Sequence, residues 1–430
     1  MKFRICNINL RNHYIMSVMS KSIIIVITFL TSIIINRYLQ PDLKGEYSYI
    51  MNWVAIIALI LNLGIGQSVS FFKRKHGETI VNMFVNIYYL QLMMYLLIVF
   101  SLNFFYTNKI LNLILIISSL AQFNSQLSFL SIIQNINKRN ITAISSTIIH
   151  LIILVYIFFA TSKNLNLIII AYVLKISVDS IIMIIKNSFY PTFNNLKLYS
   201  IYEIIRFGFF PMITSLLITF NYNLDIIILK SFVSFEKIGL YSVGVTLAGM
   251  LWILPDAFKD VLFNKTSKSD SISDIQFSIK FNIYFSLVVI VGFVILGKSF
   301  ISLFYGDEYI SSYSVSILLM MGGLPMIYFK MINTLFISIG KQKFAFAVLF
   351  CSVLINIILN FILIPIYNIN GAAAASLVSY SVSGFVFLFS FMKDYNLSIK
   401  NFIFFSSLER QKIKRLFGST NKIEEKNELT

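Results

Sequence analysis

Hydrocarbon-length apolar runs follow one another along almost the whole chain, separated by polar stretches too short to fold alone. An apolar run of ~20 residues crosses a ~30 Å hydrocarbon layer as a helix, and only structures that satisfy their own backbone are tolerated there. The pattern predicts about twelve spans, centred near Ile27, Ala58, Met94, Leu120, Ile152, Ser177, Leu217, Thr246, Val289, Leu319, Ile355 and Val382. The fourth is unusually polar, carrying Gln122, Asn124 and Gln126. The first run continues to Asn36, with no small-residue cleavage site before Arg37-Tyr38-Leu39-Gln40-Pro41. It is read as a retained span, because a signal peptide has a shorter apolar core.

Composition agrees with this pattern. The chain is 57% hydrophobic and 12% charged, with a mean hydropathy of +0.81, far from the soluble globular range. The net charge of +17 sorts by alternate loops. Lys2/Arg4/Arg11, Lys73-Arg74-Lys75, Lys138-Arg139, Lys186/Lys197, Lys259/Lys265/Lys268, Lys341/Lys343 and the tail with Lys412, Lys414 and Arg415 fall on one side. The opposite loops are poorer in basic residues, and 367–371 has none. By the positive-inside rule both termini are expected in the cytoplasm. The charge then reflects anionic lipid rather than nucleic acid, which would want a basic soluble domain.

The chain also repeats itself. Lys44-Gly45-Glu46-Tyr47-Ser48 returns as Lys237-Ile238-Gly239-Leu240-Tyr241-Ser242, with one constant offset for the glycine, tyrosine and serine, and Asn137-Lys138-Arg139 resembles Gly340-Lys341-Gln342-Lys343. The expected fold is therefore an all-α integral membrane protein of two parallel-repeat six-helix bundles. The expected divisions are a first bundle over residues 1–187, a cytoplasmic linker over 188–202, a second bundle over 203–394 and a basic cytoplasmic tail over 395–430.

Enzymatic signatures fail on context. Gly292-Phe-Val-Ile-Leu-Gly297-Lys298-Ser299 has P-loop spacing but lies inside an apolar run, without the strand and open loop that cradle phosphate. Cys6 and Cys351 sit on different elements, and His13, His76 and His150 show no ligand spacing, so neither disulfide nor metal is expected. Asp42 and Glu46 share a loop too small to house a sugar-transfer site. Gly371, Ala375, Ser379 and Ser383 form a small-residue stripe that permits close helix packing.

Several motifs, in order, resemble the polysaccharide or O-antigen flippases of the multidrug/oligosaccharidyl-lipid/polysaccharide exporter superfamily. They are Arg37-Tyr38-Leu39-Gln40-Pro41-Asp42-Leu43-Lys44-Gly45-Glu46-Tyr47, with Gln40 where the family usually has glycine; Leu63-Gly64-Ile65-Gly66; Phe207-Gly208-Phe209-Phe210-Pro211 leading to Asn221-Tyr222-Asn223-Leu224-Asp225; Gly239-Leu240-Tyr241-Ser242-Val243; Phe304-Tyr305-Gly306-Asp307-Glu308-Tyr309; and Pro365-Ile366-Tyr367-Asn368-Ile369-Asn370-Gly371-Ala372-Ala373. The resemblance implies two bundles in a V around an alternately opening cavity. It also implies carriage of polyprenyl-diphosphate-linked oligosaccharide to the outer leaflet of a bacterial cytoplasmic membrane. No cofactor is implied beyond membrane potential or an ion gradient. Polymerase and export machinery of the same pathway are the expected partners.

An unpaired charge in hydrocarbon costs about 2.5–3.5 kcal/mol on insertion scales and is functional by default. Lys21, Arg206 and Lys330 are the candidate substrate-binding cations, and snorkelling is the alternative for each. Arg37 and Asp225 are the candidate gating pair. Lys175 and Asp179, at i and i+4, are expected to neutralise each other or to form a relay. A multidrug or cation antiporter of the same superfamily is the first rival and would need more cavity carboxylates; a membrane glycosyltransferase or O-antigen polymerase is the second. The loop charges make orientation testable. Cysteines at Lys75 and Lys343 are expected to be shielded from an impermeant thiol reagent in intact cells and one at Asn368 to react, whereas labelling at Lys75 would overturn the orientation.

Overall fold

The computed structural model describes residues 2–105, 108–193, 198–266, 271–406 and 409, without side chains for 2–19, 103–105, 198–200, 263 and 264. Lys197, Lys268 and the basic residues beyond 409 lie outside the described residues. Among the described residues, ten helices are long and apolar enough to cross a membrane, from Ser20–His76 to Ile369–Asp394. Two of them are double-length, Ser20–His76 and Lys109–Ala160, and each is broken by a non-helical residue, Gln40 and Asn135 respectively. Divided there, the ten become the twelve spans expected from the apolar pattern.

The first break has a clear cause. Pro41 has no N–H to donate, and its ring drives the preceding residue out of the helical region. Gln40 accordingly adopts φ 59°, ψ 173°, a conformation that is essentially glycine's alone and costs a side chain on the order of 1–3 kcal/mol. A glycine would adopt the same conformation without that cost. The P-loop lookalike lies inside the continuous helix Ile272–Phe304, and Lys298 sits 5.4 Å from the Tyr313 ring centroid. That is a snorkelling lysine on an aromatic face rather than a phosphate ligand.

Packing divides the chain into two compact units, one formed by residues 1–244, 298–315 and 356–375, the other by 245–297, 316–355 and 376–430. In the first unit the kinked first helix packs mainly on Lys109–Ala160 and Leu198–Leu229. Its core is aliphatic around Ile50, Val54, Ile117 and Ile176, and aromatic around Phe72, Phe84, Tyr88 and Phe123.

Two backbone crossings in this unit leave no room for side chains. A Cβ on Gly45 would lie 1.7 Å from the Phe235 carbonyl oxygen, and one on Gly239 would lie 1.9 Å from that of Pro41. Gly64 and Gly208 cross in the same way, each Cβ falling 2.1 Å from the other's carbonyl oxygen. Gly45 and Gly239 are the repeat-related glycines of the sequence, so the internal repeat comes together at its own equivalent positions. In the second unit, Gly384 backs onto the Pro325 carbonyl and Gly322 onto the Leu377 backbone, seating the twelfth span against the tenth. Beyond the twelfth span the chain returns to the ninth, where the buried Lys280 ammonium pairs with Glu409 at 2.6 Å.

Overpacking a close crossing typically costs about 1–3 kcal/mol, more where backbone must move. Gly45→Ala and Gly239→Ala should each lower thermal stability in detergent by several degrees. Gly292→Ala, with open space around its Cβ position, should not.

Candidate functional site

In the second unit the chemistry centres on Lys330. Span ten, Ser312–Ser338, passes the start of Ile253–Thr266 at Gly323, whose bare Cα faces Leu251 and Trp252. Two turns further on, Lys330 is 9% exposed. Its ammonium donates to Asp256 Oδ1 at 2.8 Å and lies 4.1 Å from the Trp252 ring centroid. Lys259 reaches the same Asp256 oxygen at 3.5 Å. Two ammonium groups therefore converge on one half-exposed carboxylate, with an indole beside the more buried of them. Asp256 was not among the sequence candidates, because it sits in a stretch that reads as a basic cytoplasmic flank. The signal was present in the spacing: Trp252, Asp256 and Lys259 fall at i, i+4 and i+7, on one helix face.

Arg37 and Asp225 do not form the expected pair. Arg37 donates through Nε to the Phe304 carbonyl at 2.9 Å and through a terminal nitrogen to that of Leu303. These are the last carbonyls of Ile272–Phe304, groups with no intrahelical partner and at the negative end of the dipole. The arginine is thus a helix cap supplied from a distant part of the chain. Nearby, Tyr309 Oη donates to the Asn36 carbonyl at 3.0 Å. Asp225, 1% exposed, accepts from Tyr241 Oη and Asn360 Nδ2, both at 2.7 Å, and Asn360 also donates to the Asn356 carbonyl. A helix end and a tyrosine–amide cradle satisfy the two residues separately, so neither needs the other.

Lys175 and Asp179 are likewise not direct partners. Asp179 Oδ1 takes Arg139 at 3.2 Å and Ser146 Oγ at 3.1 Å, while Oδ2 takes Asn124 Nδ2 at 3.2 Å. The break at Asn135 redirects Arg139, read from the sequence as a loop cation, back into the bundle. There its Nε also donates to Ser128 Oγ at 2.7 Å. Lys175 is half-buried and forms no hydrogen bond or ion pair among the described residues, although His150, Asp179 and Arg139 lie within its electrostatic reach. The polar fourth span is explained at the same time: Asn124 serves Asp179, and Gln122 and Gln126 both donate to Gln91 Oε1. Lys21 and Arg206 are exposed. Among the described residues, no three His, Cys, Asp or Glu side chains are grouped to hold a metal.

Comparison with known proteins gives a consistent picture. A family model described as "Polysaccharide biosynthesis protein" matches residues 10–256, more than half of the chain. The capsular polysaccharide biosynthesis protein CapF of Staphylococcus aureus is 25% identical over 84% of this chain and 93% of its own length. Among solved structures, the lipid II flippase MurJ in an inward closed conformation matches with a TM-score of 0.72 at 17% identity, covering 95% of this chain and 94% of that one. An inward-facing multidrug resistance MATE transporter of the MOP superfamily matches at 0.65 and 12% identity, over 86% and 94%. The likeness in fold extends over nearly the whole chain and is that of twelve-helix, two-repeat membrane transporters.

The Asp179 cluster yields a stability prediction. Removing one partner of a buried charge network costs about 3–5 kcal/mol, because the remaining charge stays buried. Asp179→Asn should therefore strongly lower the detergent melting temperature, whereas Lys175→Met, which breaks no bond, should leave it unchanged or raise it. Equal loss from both variants would restore the direct Lys175–Asp179 pair.

Proposed function

The chain belongs to the polysaccharide biosynthesis protein family, a family of multi-pass membrane transporters, and from that membership we propose that it flips polyprenyl-diphosphate-linked oligosaccharide from the cytoplasmic to the outer leaflet. The membrane is the bacterial cytoplasmic membrane, with both termini inside. The observation that carries this reading is the excess of membrane-embedded cations over carboxylates: Lys21, Lys175, Arg139 and Lys330 against Asp179, Asp225 and Asp256, each of which already accepts from a donor within the protein. The prenyl tail can remain in lipid, but the diphosphate and sugar cannot cross bare hydrocarbon unpaired. Ammonium groups supply charge-assisted bonds to phosphate without demanding one fixed geometry.

Lys330 and Lys21 are the proposed diphosphate contacts, and Arg206 meets the cargo where it enters. Arg37 is the proposed outer latch, acting through the end of span nine rather than through Asp225. A multidrug antiporter would want carboxylates free to bind cationic drugs, and the occupied oxygens of Asp179 and Asp225 favour the anionic cargo. Neutralising Lys21 and Lys330 together, to Met or Gln, should leave expression intact, abolish glycan export and accumulate lipid-linked precursor in the inner leaflet. Normal export from the double variant would sink the assignment. Loss of drug efflux with export intact would point to the antiporter.

A further inference from the structure

The Lys330–Asp256–Lys259 cluster contains more than a candidate phosphate contact. A lysine in a span could be neutralised by one carboxylate placed against it, buried and exclusive. Here the carboxylate is half-exposed, its side chain 46% accessible, and the same oxygen is shared by two ammonium groups, at 2.8 and 3.5 Å. Two cations on one carboxylate leave the cluster a net positive charge. Separate helices bring the lysines to one point: Lys259 from Ile253–Thr266 and Lys330 from Ser312–Ser338. Trp252 lies on the same helical face as Asp256 and Lys259 and holds the Lys330 ammonium by its ring at 4.1 Å. The indole attracts a cation in either state, so it can keep Lys330 in place while the carboxylate is exchanged.

The geometry points to Asp256 as a displaceable stand-in for the cargo's phosphate: it gathers Lys330 and Lys259 into a diphosphate clamp in the empty carrier and is released when the diphosphate enters. This rests on the anionic cargo proposed above and adds Lys259 as a second phosphate contact, with Asp256 as a positioning residue. A carboxylate and a phosphate present similar anionic oxygens to an ammonium group, and a phosphate presents more of them. A diphosphate can therefore satisfy both lysines where Asp256 offers one oxygen. Partial exposure makes the exchange feasible, because a half-solvated carboxylate returns to water at little cost.

The consequence runs opposite to that of a structural salt bridge. A residue that competes with the ligand lowers apparent affinity, so its removal tightens binding. The probe is farnesyl diphosphate, titrated into the full-length protein in neutral-lipid nanodiscs, with farnesol and inorganic pyrophosphate as lipid-only and anion-only controls. Asp256→Asn is expected to bind farnesyl diphosphate about fivefold more tightly than wild type, the size of an ion pair near solvent. Lys330→Met and Lys259→Met should each bind more weakly, and the gain from Asp256→Asn should vanish in the Lys330→Met background.

Unchanged or weaker binding by Asp256→Asn, with Lys330→Met still weakened, would overturn the stand-in and leave the anionic-cargo reading in place. Unchanged binding by Lys330→Met would overturn both. Should Asp256→Asn fail to yield folded protein, the same exchange can be read without touching it. The chain has two tryptophans, so Trp53→Phe leaves Trp252 as the sole reporter. Farnesyl diphosphate should then shift Trp252 emission as the ammonium and carboxylate beside it rearrange, and pyrophosphate should do so more weakly. No shift at saturating ligand would overturn the exchange.

Discussion

Hydrocarbon solvates neither a peptide group nor a charge, and the organisation of this chain follows from that constraint. The backbone answers it with helices that satisfy their own hydrogen bonds across each span. The side chains answer it by sharing: Asp179 accepts from an arginine, a serine and an asparagine, and Asp225 from a tyrosine and an asparagine. Each carboxylate is satisfied by neighbours from other spans, so each also ties spans together. In water such groups would contribute little to folding specificity. Inside a membrane they are obligatory contacts, and a helix that shifts must break them.

The same constraint governs the helix ends. A terminal carbonyl at the edge of the bilayer needs a donor, and Arg37 supplies one to Leu303 and Phe304. This bond is more easily reversed than a buried ion pair, because the carbonyls and the exposed guanidinium can both return to water. Gly45 and Gly239 complement it. With no side chains between the backbones, contact there is close enough to be all-or-none, since a packed crossing separates rather than stretches. A reversible cap and a rigid crossing are what the latch proposed at Arg37 would need to switch rather than stretch.

Much of the fold was legible in the sequence because hydrocarbon length is a coarse, one-dimensional signal. Span centres from Ile27 to Val382 could be placed by counting, and Pro41 marked the first break. The repeat was legible as well, since Gly45 and Gly239 must both be glycine to let the backbones meet. Partner choice was not legible. Arg37 had a plausible carboxylate in Asp225, yet the groups that most needed a donor were main-chain carbonyls, which a sequence does not display. Lys175 stood one turn from Asp179, but Asp179 was closer to Arg139 once the chain bent at Asn135. Asp256 was overlooked because Lys259, Lys265 and Lys268 mark the stretch after it as a basic flank, although an acid beside lysines is the kind of residue that organises them.

The Asp256 cluster also bears on how a membrane potential acts on the proposed cycle. The total charge carried per turnover is set by the cargo alone, about two negative charges for a diphosphate esterified at both ends, because the protein returns to its starting point. The protein's own charge decides how that total divides between the two legs. With the two lysines alone, the loaded cluster would be neutral and the empty one doubly positive, leaving the whole electrical drive on the return. Asp256 makes the loaded cluster singly negative and the empty one singly positive. By lowering the charge of both states by one, Asp256 moves up to about 2.3 kcal/mol per 100 mV of an inside-negative drive from the empty leg to the loaded one. In the proposed cycle a carboxylate that weakens binding would thus also shift part of the drive to the loaded leg, and a cycle is limited by its slower leg.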